Sequence, residues 1–348
     1  MTRTEAPPRR AVWRTRRFSV LVSPRLVAVT AVLLALLLVL GVFAMTVGSL
    51  DISMGDVLSA LFGGEDGRNT HVVQNLRLPR VLTAIFAGAA LGVSGAVFQS
   101  VSRNALGSPD IIGFTTGAAT GAITQIVIFQ GTPLEIALSA VAGGILTAAA
   151  VYLLSRKGGV TGGYRLVLVG IGVGAVLGAL NGLMLVLGEL DNAIAANLWL
   201  SGSLDARNWG HALPVMIGVV LIVPFIGALG RRASLMEMGD DLSQQLGVRV
   251  ERTRLLLMLA AVVLAGLATG AAGPIAFIAL AAPQLVIRLS RSRSMPVFSA
   301  GAMGAAMLLV ADLIGQLLPV TATLPIGRIT GIIGGFYLIW LLTRSKQV

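Results

Sequence analysis

The sequence predicts an all-α polytopic membrane protein with about ten transmembrane helices and both termini in the cytoplasm. Its 348 residues are 55% hydrophobic and only 12% charged, whereas soluble globular chains carry about 25% charged residues. A transmembrane helix needs roughly 20 apolar residues, so a chain of this length has room for about ten spans joined by short loops. The distribution of lysine and arginine then sets the orientation of the spans.

Ten apolar runs, bounded by proline, glycine or charged residues, define the spans. The first follows an arginine-rich segment, residues 1–25, which we interpret as a cytoplasmic tail. Its apolar run is longer than the roughly 7–15-residue core of a secretory signal, so we expect it to remain as a span. The predicted spans are 26–47, 79–101, 109–129, 134–154, 165–188, 211–230, 253–272, 275–290, 297–317 and 326–343.

The positive charges support this number of spans. With the N-terminus inside, 21 lysines and arginines fall on the cytoplasmic side and five on the other, namely Arg68, Arg77, Arg80, Arg207 and Arg328. Cytoplasmic loops of membrane proteins are enriched in lysine and arginine, and one missed span would invert every loop that follows it. The asymmetry therefore favours ten spans with both ends inside.

Glycines at helical spacing predict close helix packing. Gly170, Gly174, Gly178 and Gly182 recur every four residues on the fifth span. Small residues let a neighbouring backbone approach where lipid gives no hydrophobic drive for association. Three shorter pairs indicate the same kind of contact, and they are Gly88 with Gly92, Gly117 with Gly121, and Gly266 with Gly270.

The chain lacks the groups that most catalytic or metal chemistry requires. It has no cysteine and only two histidines, His71 and His211, both in predicted outer loops. It also has no Gly-x-x-x-x-Gly-Lys-Ser/Thr phosphate loop. We therefore expect that this chain is not an enzyme, that any ATP is hydrolysed by another subunit, and that a metal cargo arrives already wrapped in a chelator.

Polar residues inside the spans have two interpretations. Thr115, Thr116 and Asn181 could line a polar pathway, or they could only hydrogen-bond between helices. Asp312 is the carboxylate that lies well inside an apolar run. It favours a satisfied polar contact, with a proton relay as the alternative, because ion-coupled transporters place ionisable groups at such depths.

A polar stretch, residues 237–251, interrupts the apolar runs on the predicted cytoplasmic side. Met238, Leu242 and Leu246 recur at helical spacing, and Gly247 is typical of a helix end. Arginines flank the stretch on both sides. We interpret residues 233–249 as a coupling segment that a soluble partner contacts, with a solvated loop as the alternative.

Several well-spaced motifs resemble the FecCD-type family of iron–siderophore and vitamin B12 import permeases. They follow the family's order between about residues 30 and 345, and residues 107–110 and 237–241 most resemble ferric enterobactin-type permease subunits. The motifs are RLPR (77–80), AGAALGVSGA (87–96), RNALGSPD (103–110), LWLSGS (198–203), LGVRVER (246–252), AGPIAF (272–277), APQ (282–284) and LPIG (324–327).

The resemblance implies a vitamin B12 permease-like (type II ABC importer) fold in a single domain, residues 26–348. It implies a bacterial plasma-membrane complex with a second permease subunit, two ATP-binding-cassette ATPases and an extracytoplasmic siderophore-binding protein. A heterodimer of permeases is favoured over a homodimer. We expect lipid but no nucleic acid as a partner, no metal or cofactor bound by this chain, and ATP with Mg²⁺ on the ATPase. The expected cargo is a ferric siderophore, with cobalamin or haem as the alternative.

The resemblance also assigns roles to individual residues. It places docking of the binding protein at Arg77 and Arg80, for which lipid-headgroup anchoring is the alternative. It places a cytoplasmic gate at Asn104 and Leu106, where Ala105 stands in the position of the family's usual proline. Gln284 occupies a position where many relatives carry histidine. The implied ATPase-coupling residues are Glu237, Gly239, Asp240, Asp241, Leu246 and Gly247.

Overall fold

The computed structural model describes residues 11–14, 19–48, 50–63, 67–110, 112–157, 160–161, 163–291, 295–318 and 324–344. Most of the predicted basic tail and both chain ends lie outside the described residues, as do Arg293 and Lys346. The described residues are mainly helical, which confirms the predicted fold class. Two short hairpins, Ala11–Arg14 with Ser19–Val22 and Arg156–Lys157 with Val160–Thr161, do not change it.

A helix lies at each of the ten predicted spans. In chain order the helices are α1 (Pro24–Thr46), α2 (Met54–Leu61), α3 (Arg68–Val72), α4 (Leu78–Ser102), α5 (Phe114–Thr124), α6 (Pro133–Ser155), α7 (Gly163–Leu187), α8 (Leu190–Leu200), α9 (Trp209–Met236), α10 (Asp240–Gln245), α11 (Val250–Ala272), α12 (Ile278–Ser290), α13 (Val297–Leu317) and α14 (Ile326–Arg344). Single π-helical turns, Val73–Arg77 and Gln125–Phe129, join α3 to α4 and extend α5.

Seven helical segments among the described residues are long and apolar enough to cross a membrane. They are α1, the continuous stretch from α3 through α4, α6, α7, α9, α11 and α13. Helix α5 with its π turn and helix α12 are apolar but shorter. The chain is therefore a multi-pass membrane protein, while the number of ten spans and the orientation of the termini stay predictions.

Local sequence signals explain where several helices begin. Proline at the first turn starts α1 and α6, where its missing N–H would have no helical partner. Thr132 and Glu135 form a reciprocal capping box at the start of α6. Asn208 caps α9 by accepting a hydrogen bond from the Gly210 backbone N–H at 3.0 Å.

Helix α4 is the centre of the bundle. It is buried along most of its length and packs against α13, α11, α9 and α12. A Cβ atom at Gly88 would collide with the Gly304 carbonyl, and one at Gly92 with the Ala300 carbonyl. The predicted packing role of this glycine pair is therefore confirmed, because only glycine allows α13 to lie so close.

The other two short glycine pairs have the same role. A Cβ at Gly121 would collide with the Ser139 carbonyl on α6, and Gly117 meets Thr147 of the same helix. Gly266 and Gly270 bring α11 to within contact of the α6 backbone. Helices α5, α6 and α11 therefore form a second tightly packed group beside α4.

Helix α7 follows the glycine prediction along only half of its length. Gly170 and Gly174 contact the backbone of Ile112 and Gly113, as expected. A Cβ at Gly178 or Gly182 would meet nothing within 4 Å among the described residues. The backbone of this chain therefore approaches Gly170 and Gly174, and close packing of a neighbouring backbone at Gly178 and Gly182 stays a prediction.

Candidate transport pathway and coupling segment

The predicted coupling segment forms a short helix between two glycine breaks. Helix α9 ends at Met236, Gly239 adopts φ +115°, and α10 runs over Asp240–Gln245. Gly247 then adopts φ +81° before α11 begins at Val250. Both glycines hold backbone conformations that side-chain-bearing residues rarely adopt. The predicted helix end at Gly247 is confirmed, and α10 begins two residues after Met238.

Buried contacts hold this segment against the bundle. The Ser243 hydroxyl lies between the Leu235 carbonyl at 2.8 Å and the Gly239 carbonyl at 2.6 Å. Met236, Val248 and Val250 form a small buried apolar cluster beneath α10. The segment is therefore a packed element rather than a solvated loop.

The outer face of the segment carries exposed apolar side chains. Met238, Leu242 and Leu246 are 60%, 50% and 60% exposed, and Asp241 is also exposed beside them. We call these three apolar residues the coupling knob. Exposed apolar side chains that cluster at regular spacing are typical of a surface that contacts another protein.

Asp240 faces the bundle instead. It accepts hydrogen bonds from Arg254 at 2.8 and 3.0 Å, and the Arg103 guanidinium lies 3.6 Å away. The Arg254 side chain is only 4% exposed and also pairs with Glu251. Arg254 thus joins the coupling segment to α11, and Arg103 joins it to the end of α4.

Glu237 makes a second link between the coupling segment and α4. The Ser100 hydroxyl donates to Glu237 Oε1 at 2.6 Å. Partial burial of the carboxyl raises the pKa of Glu237, although the residue as a whole is exposed and the hydrogen bond from Ser100 opposes the shift. Of the acidic residues predicted to couple, Glu237 and Asp240 therefore contact α4 and α11, and Asp241 faces outward.

The predicted gate follows α4 directly. Arg103 ends the helix at φ +51°, and the Leu106 backbone N–H donates to Asn104 Oδ1 at 2.9 Å. The Gly107 N–H donates to the Asn104 carbonyl at 2.9 Å. This turn is closed by the asparagine side chain, so the loop is ordered although Ala105 replaces the expected proline.

A cavity of about 440 Å³ lies beside this loop, and we call it the gate cavity. Asn104, Ala105, Ser100 and Glu237 line it, so the predicted gate and the coupling segment share one space. Gln284, at the position where many relatives carry histidine, also lines this cavity. Its side-chain amide donates a hydrogen bond to Gln99 Oε1 at 2.7 Å. Gln99 in turn donates to the Leu280 carbonyl at 3.0 Å.

Arg77 and Arg80 contact the chain's own residues. Arg77 donates to the Met45 carbonyl at 2.6 Å and to the Leu50 carbonyl at 2.5 Å. Arg80 pairs with Asp312 at 2.8 Å and with Asp205 at 2.7 Å. Both side chains remain partly exposed. Docking of a binding protein at Arg77 and Arg80 stays a prediction. A binding protein would there contact arginines that already donate to acceptors of this chain, which are carbonyls for Arg77 and carboxylates for Arg80.

Asp312 has two polar partners deep in the bundle. Its side chain is fully buried, and besides Arg80 it accepts a hydrogen bond from Gln316 at 2.8 Å. Arg80 and Gln316 therefore both donate to the carboxylate oxygens of Asp312. This arrangement favours the satisfied polar contact over the proton relay.

The three predicted pathway residues line one cavity of about 440 Å³. We call it the Asn181 cavity. The Thr115 hydroxyl donates to Asp110 Oδ1 at 2.5 Å, and Thr116 lies beside it. Asn181 is 7% exposed, and its carbonyl oxygen has no hydrogen-bond partner. The further polar lining residues are Asn197, Ser201 and Arg328.

The described residues contain no group of three or more histidine, cysteine, aspartate or glutamate side chains that could hold a metal ion. The polar side-chain groups that line the Asn181 cavity are amides, hydroxyls, one carboxylate and one guanidinium. Such a set suits a polar organic molecule better than a bare transition metal.

Comparison with known proteins identifies the family. The family model described as the FecCD transport family matches residues 36–344. The chain belongs to this family. It is 44% identical over 326 residues to the ferric enterobactin transport system permease protein FepG of Escherichia coli (strain K12), covering 94% of this chain and 98% of FepG.

One further relative and one solved structure resemble this FecCD-family chain over most of its length. The hemin transport system permease protein HmuU of Yersinia pestis is 32% identical over 334 residues, covering 94% of this chain and 98% of HmuU. A solved metal-chelate-type ABC transporter in an inward-facing conformation superposes with a TM-score of 0.80 at 26% identity, covering 92% of this chain and 99% of that one. The type II importer permease fold is thus confirmed.

Several functional candidates of this FecCD chain were not found from sequence. Ser100, Arg103 and Arg254 carry the contacts of the coupling segment, but Arg103 was recognised only as part of the RNALGSPD motif and Arg254 only as one of the cytoplasmic arginines near residues 237–251. Asp110 lies in a recognised motif, and its polarity next to an apolar span was a usable signal. Arg328 follows the LPIG motif and was considered only as an outer charge.

Proposed function

We propose that this FecCD-family chain is the permease subunit of an ATP-binding-cassette importer that moves a ferric siderophore into the cytoplasm. The observation that carries the proposal is the coupling knob, an exposed apolar surface on a packed segment that adjoins the gate cavity. The likeness to FepG supports a ferric siderophore as the cargo.

The contacts suggest how the partner's work reaches the gate. An ATPase that binds the coupling knob would move α10, and α10 is tied to the end of α4 through Asp240 and Arg103. Glu237 and Ser100 provide the second tie, four residues before Asn104. Movement of a packed segment as a unit is a recognised means of switching access between two sides.

The complex would contain several further subunits. Two ATPases would bind ATP and Mg²⁺, one of them would dock on the coupling knob of this chain, and an extracytoplasmic binding protein would deliver the cargo near Arg77 and Arg80. A second, different permease subunit would pack beside this chain in the bacterial plasma membrane. The uncovered part of α7 around Gly178 and Gly182 supports a partner on that face. This chain itself would bind no metal or cofactor.

A second candidate cargo is haem, because HmuU is a hemin permease. Cobalamin is a third cargo that the same machine could carry. A proton-coupled transporter that uses Asp312 and acts alone is less well supported, since Asp312 is paired with Arg80.

The test is uptake of radiolabelled ferric siderophores, haem and cobalamin by cells that lack this gene, with and without a restored copy. We expect uptake of one ferric siderophore class to be lost, and to be restored only when the partner ATPase is active. Loss of haem or cobalamin uptake alone would assign that cargo instead. Uptake that continues with an inactive ATPase would contradict the ATP-driven mechanism.

A further inference from the structure

The Asn181 cavity holds a polar group for which the chain supplies no partner. Asn181 lines the cavity on α7, is 7% exposed, and keeps its carbonyl oxygen buried without a hydrogen bond. Nearly all buried polar atoms in proteins have a partner, so an exception of this kind needs an explanation. A ligand that donates a hydrogen bond at this point would supply one.

A second acceptor belongs to the same cavity. Asp110 receives a hydrogen bond from Thr115 at one carboxyl oxygen. A carboxylate has two oxygens and about four acceptor positions, so the bond from Thr115 leaves acceptor capacity. Thr116, next to Thr115 on α5, adds a hydroxyl that can donate or accept. This part of the cavity is therefore rich in acceptors.

Arg328 gives the cavity a cationic side. It is exposed and donates to the Ser201 hydroxyl at 3.3 Å. A guanidinium carries five N–H donors, so this bond leaves others for an ionised oxygen of a ligand. The cavity therefore offers acceptors at Asn181 and Asp110 and donors at Arg328.

We propose that the Asn181 cavity is a cargo subsite that selects chelates carrying amide N–H or hydroxyl donors next to ionised oxygens. This inference rests on the proposed function and adds the chemistry by which the permease distinguishes its cargo. A flat macrocycle such as haem has carbon along most of its rim. It would desolvate Asn181 and Asp110 without pairing them, and sites with unpaired polar groups reject such analogues strongly.

The test is uptake by vesicles that contain the whole importer, with ferric enterobactin and haemin as probes. Asn181→Leu removes the acceptor at similar size, and Thr116→Val removes a hydroxyl from the same cavity. We expect Asn181→Leu to raise the half-saturating concentration of ferric enterobactin about tenfold, which corresponds to about 1.4 kcal/mol. Thr116→Val should raise it about threefold, and the maximal rate and ATP hydrolysis should stay near the unaltered values.

Thr120→Val is the matched control, because Thr120 lies one turn further along α5 and donates to the Thr116 carbonyl rather than lining the cavity. It should leave the half-saturating concentration unchanged. If Asn181→Leu does not assemble, as shown by co-purification of the ATPase, Thr116→Val decides the question.

The possible results separate the two proposals. Unchanged concentration dependence in both cavity variants, or haemin uptake by the unaltered importer as efficient as that of ferric enterobactin, would overturn the subsite and leave the importer function standing. ATP-independent uptake, or no uptake of any probe by the unaltered importer, would overturn the proposed function and the subsite with it.

Discussion

Two arginine-centred clusters lie at opposite ends of the bundle and differ in how they meet solvent. Arg80 pairs with Asp312, which is fully buried on α13, and with the more exposed Asp205. Arg254 is itself almost fully buried and pairs with Asp240 and Glu251, both of which keep part of their surface in solvent. In one cluster a carboxylate is the buried member, and in the other it is the arginine.

This difference assigns the clusters different tasks. The Arg80 cluster joins two central helices, α4 and α13, through an ion pair that water cannot replace. The Arg254 cluster holds the coupling segment to α11 through carboxylates that solvent can reach. Buried charges are very costly to leave unpaired, whereas partly exposed ones are stabilised by water. We therefore expect the first cluster to govern stability and the second to govern coupling.

The largest expected effect is that of Arg80→Met. It leaves Asp312 buried with only Gln316 as a partner, and breaking a buried pair in this way costs about 3–5 kcal/mol. Thermal unfolding of the purified complex measures the loss. The double variant Arg80→Met with Asp312→Leu removes both charges and should recover much of it. Equal destabilisation by the single and double variants would contradict the assignment.

Arg254→Met should affect transport more than stability. Asp240 and Glu251 can turn to water once the arginine is gone, so the loss of stability should be smaller, about 1–3 kcal/mol. The coupling segment loses its link to α11, and uptake per ATP hydrolysed should fall severalfold in the reconstituted importer. A variant that matches Arg80→Met in its loss of stability, with an unchanged ratio of uptake to hydrolysis, would erase the distinction between the clusters.

The smallest effect concerns Glu237 and pH. Burial raises its pKa in the folded chain, so the folded state holds the proton more tightly and stability decreases as pH rises through that pKa. Glu237→Gln cannot ionise and should lose this dependence, by less than about 1 kcal/mol because the residue is largely exposed. Unfolding midpoints at several pH values between about 4 and 8, compared with Asp241→Asn at the exposed neighbour, measure it. The same pH dependence in Glu237→Gln would refute this role.

The sequence was sufficient to locate the helices at all ten predicted spans, because length and apolarity reflect the bilayer directly. It also located the breaks at Gly247 and the close packing at Gly88 and Gly117. These features depend on local sequence, so they can be recognised without knowing which helices are neighbours.

The long-range pairs were not predictable in the same way. Arg80 and Asp312 are 232 residues apart, and only the packing of α4 against α13 brings them together. Arg80 was therefore assigned to docking of a binding protein, with lipid headgroups as the alternative, and Asp240 to coupling with the ATPase. The spacing of Gly178 and Gly182 indicated close packing, but spacing does not reveal which residues surround a position. Within the described residues of this chain, nothing covers these two glycines.

The most direct test of the ATP-driven mechanism is uptake of the ferric siderophore by proteoliposomes that contain this chain, its partner subunits and ATP. Leu242→Asp places a charge in the centre of the coupling knob, and Gln245→Ser changes another exposed residue of α10 without adding an apolar or charged group. We predict that Leu242→Asp abolishes both ATPase association and uptake, whereas Gln245→Ser retains most of both. Full uptake by Leu242→Asp, or uptake without the ATPase, would contradict the mechanism.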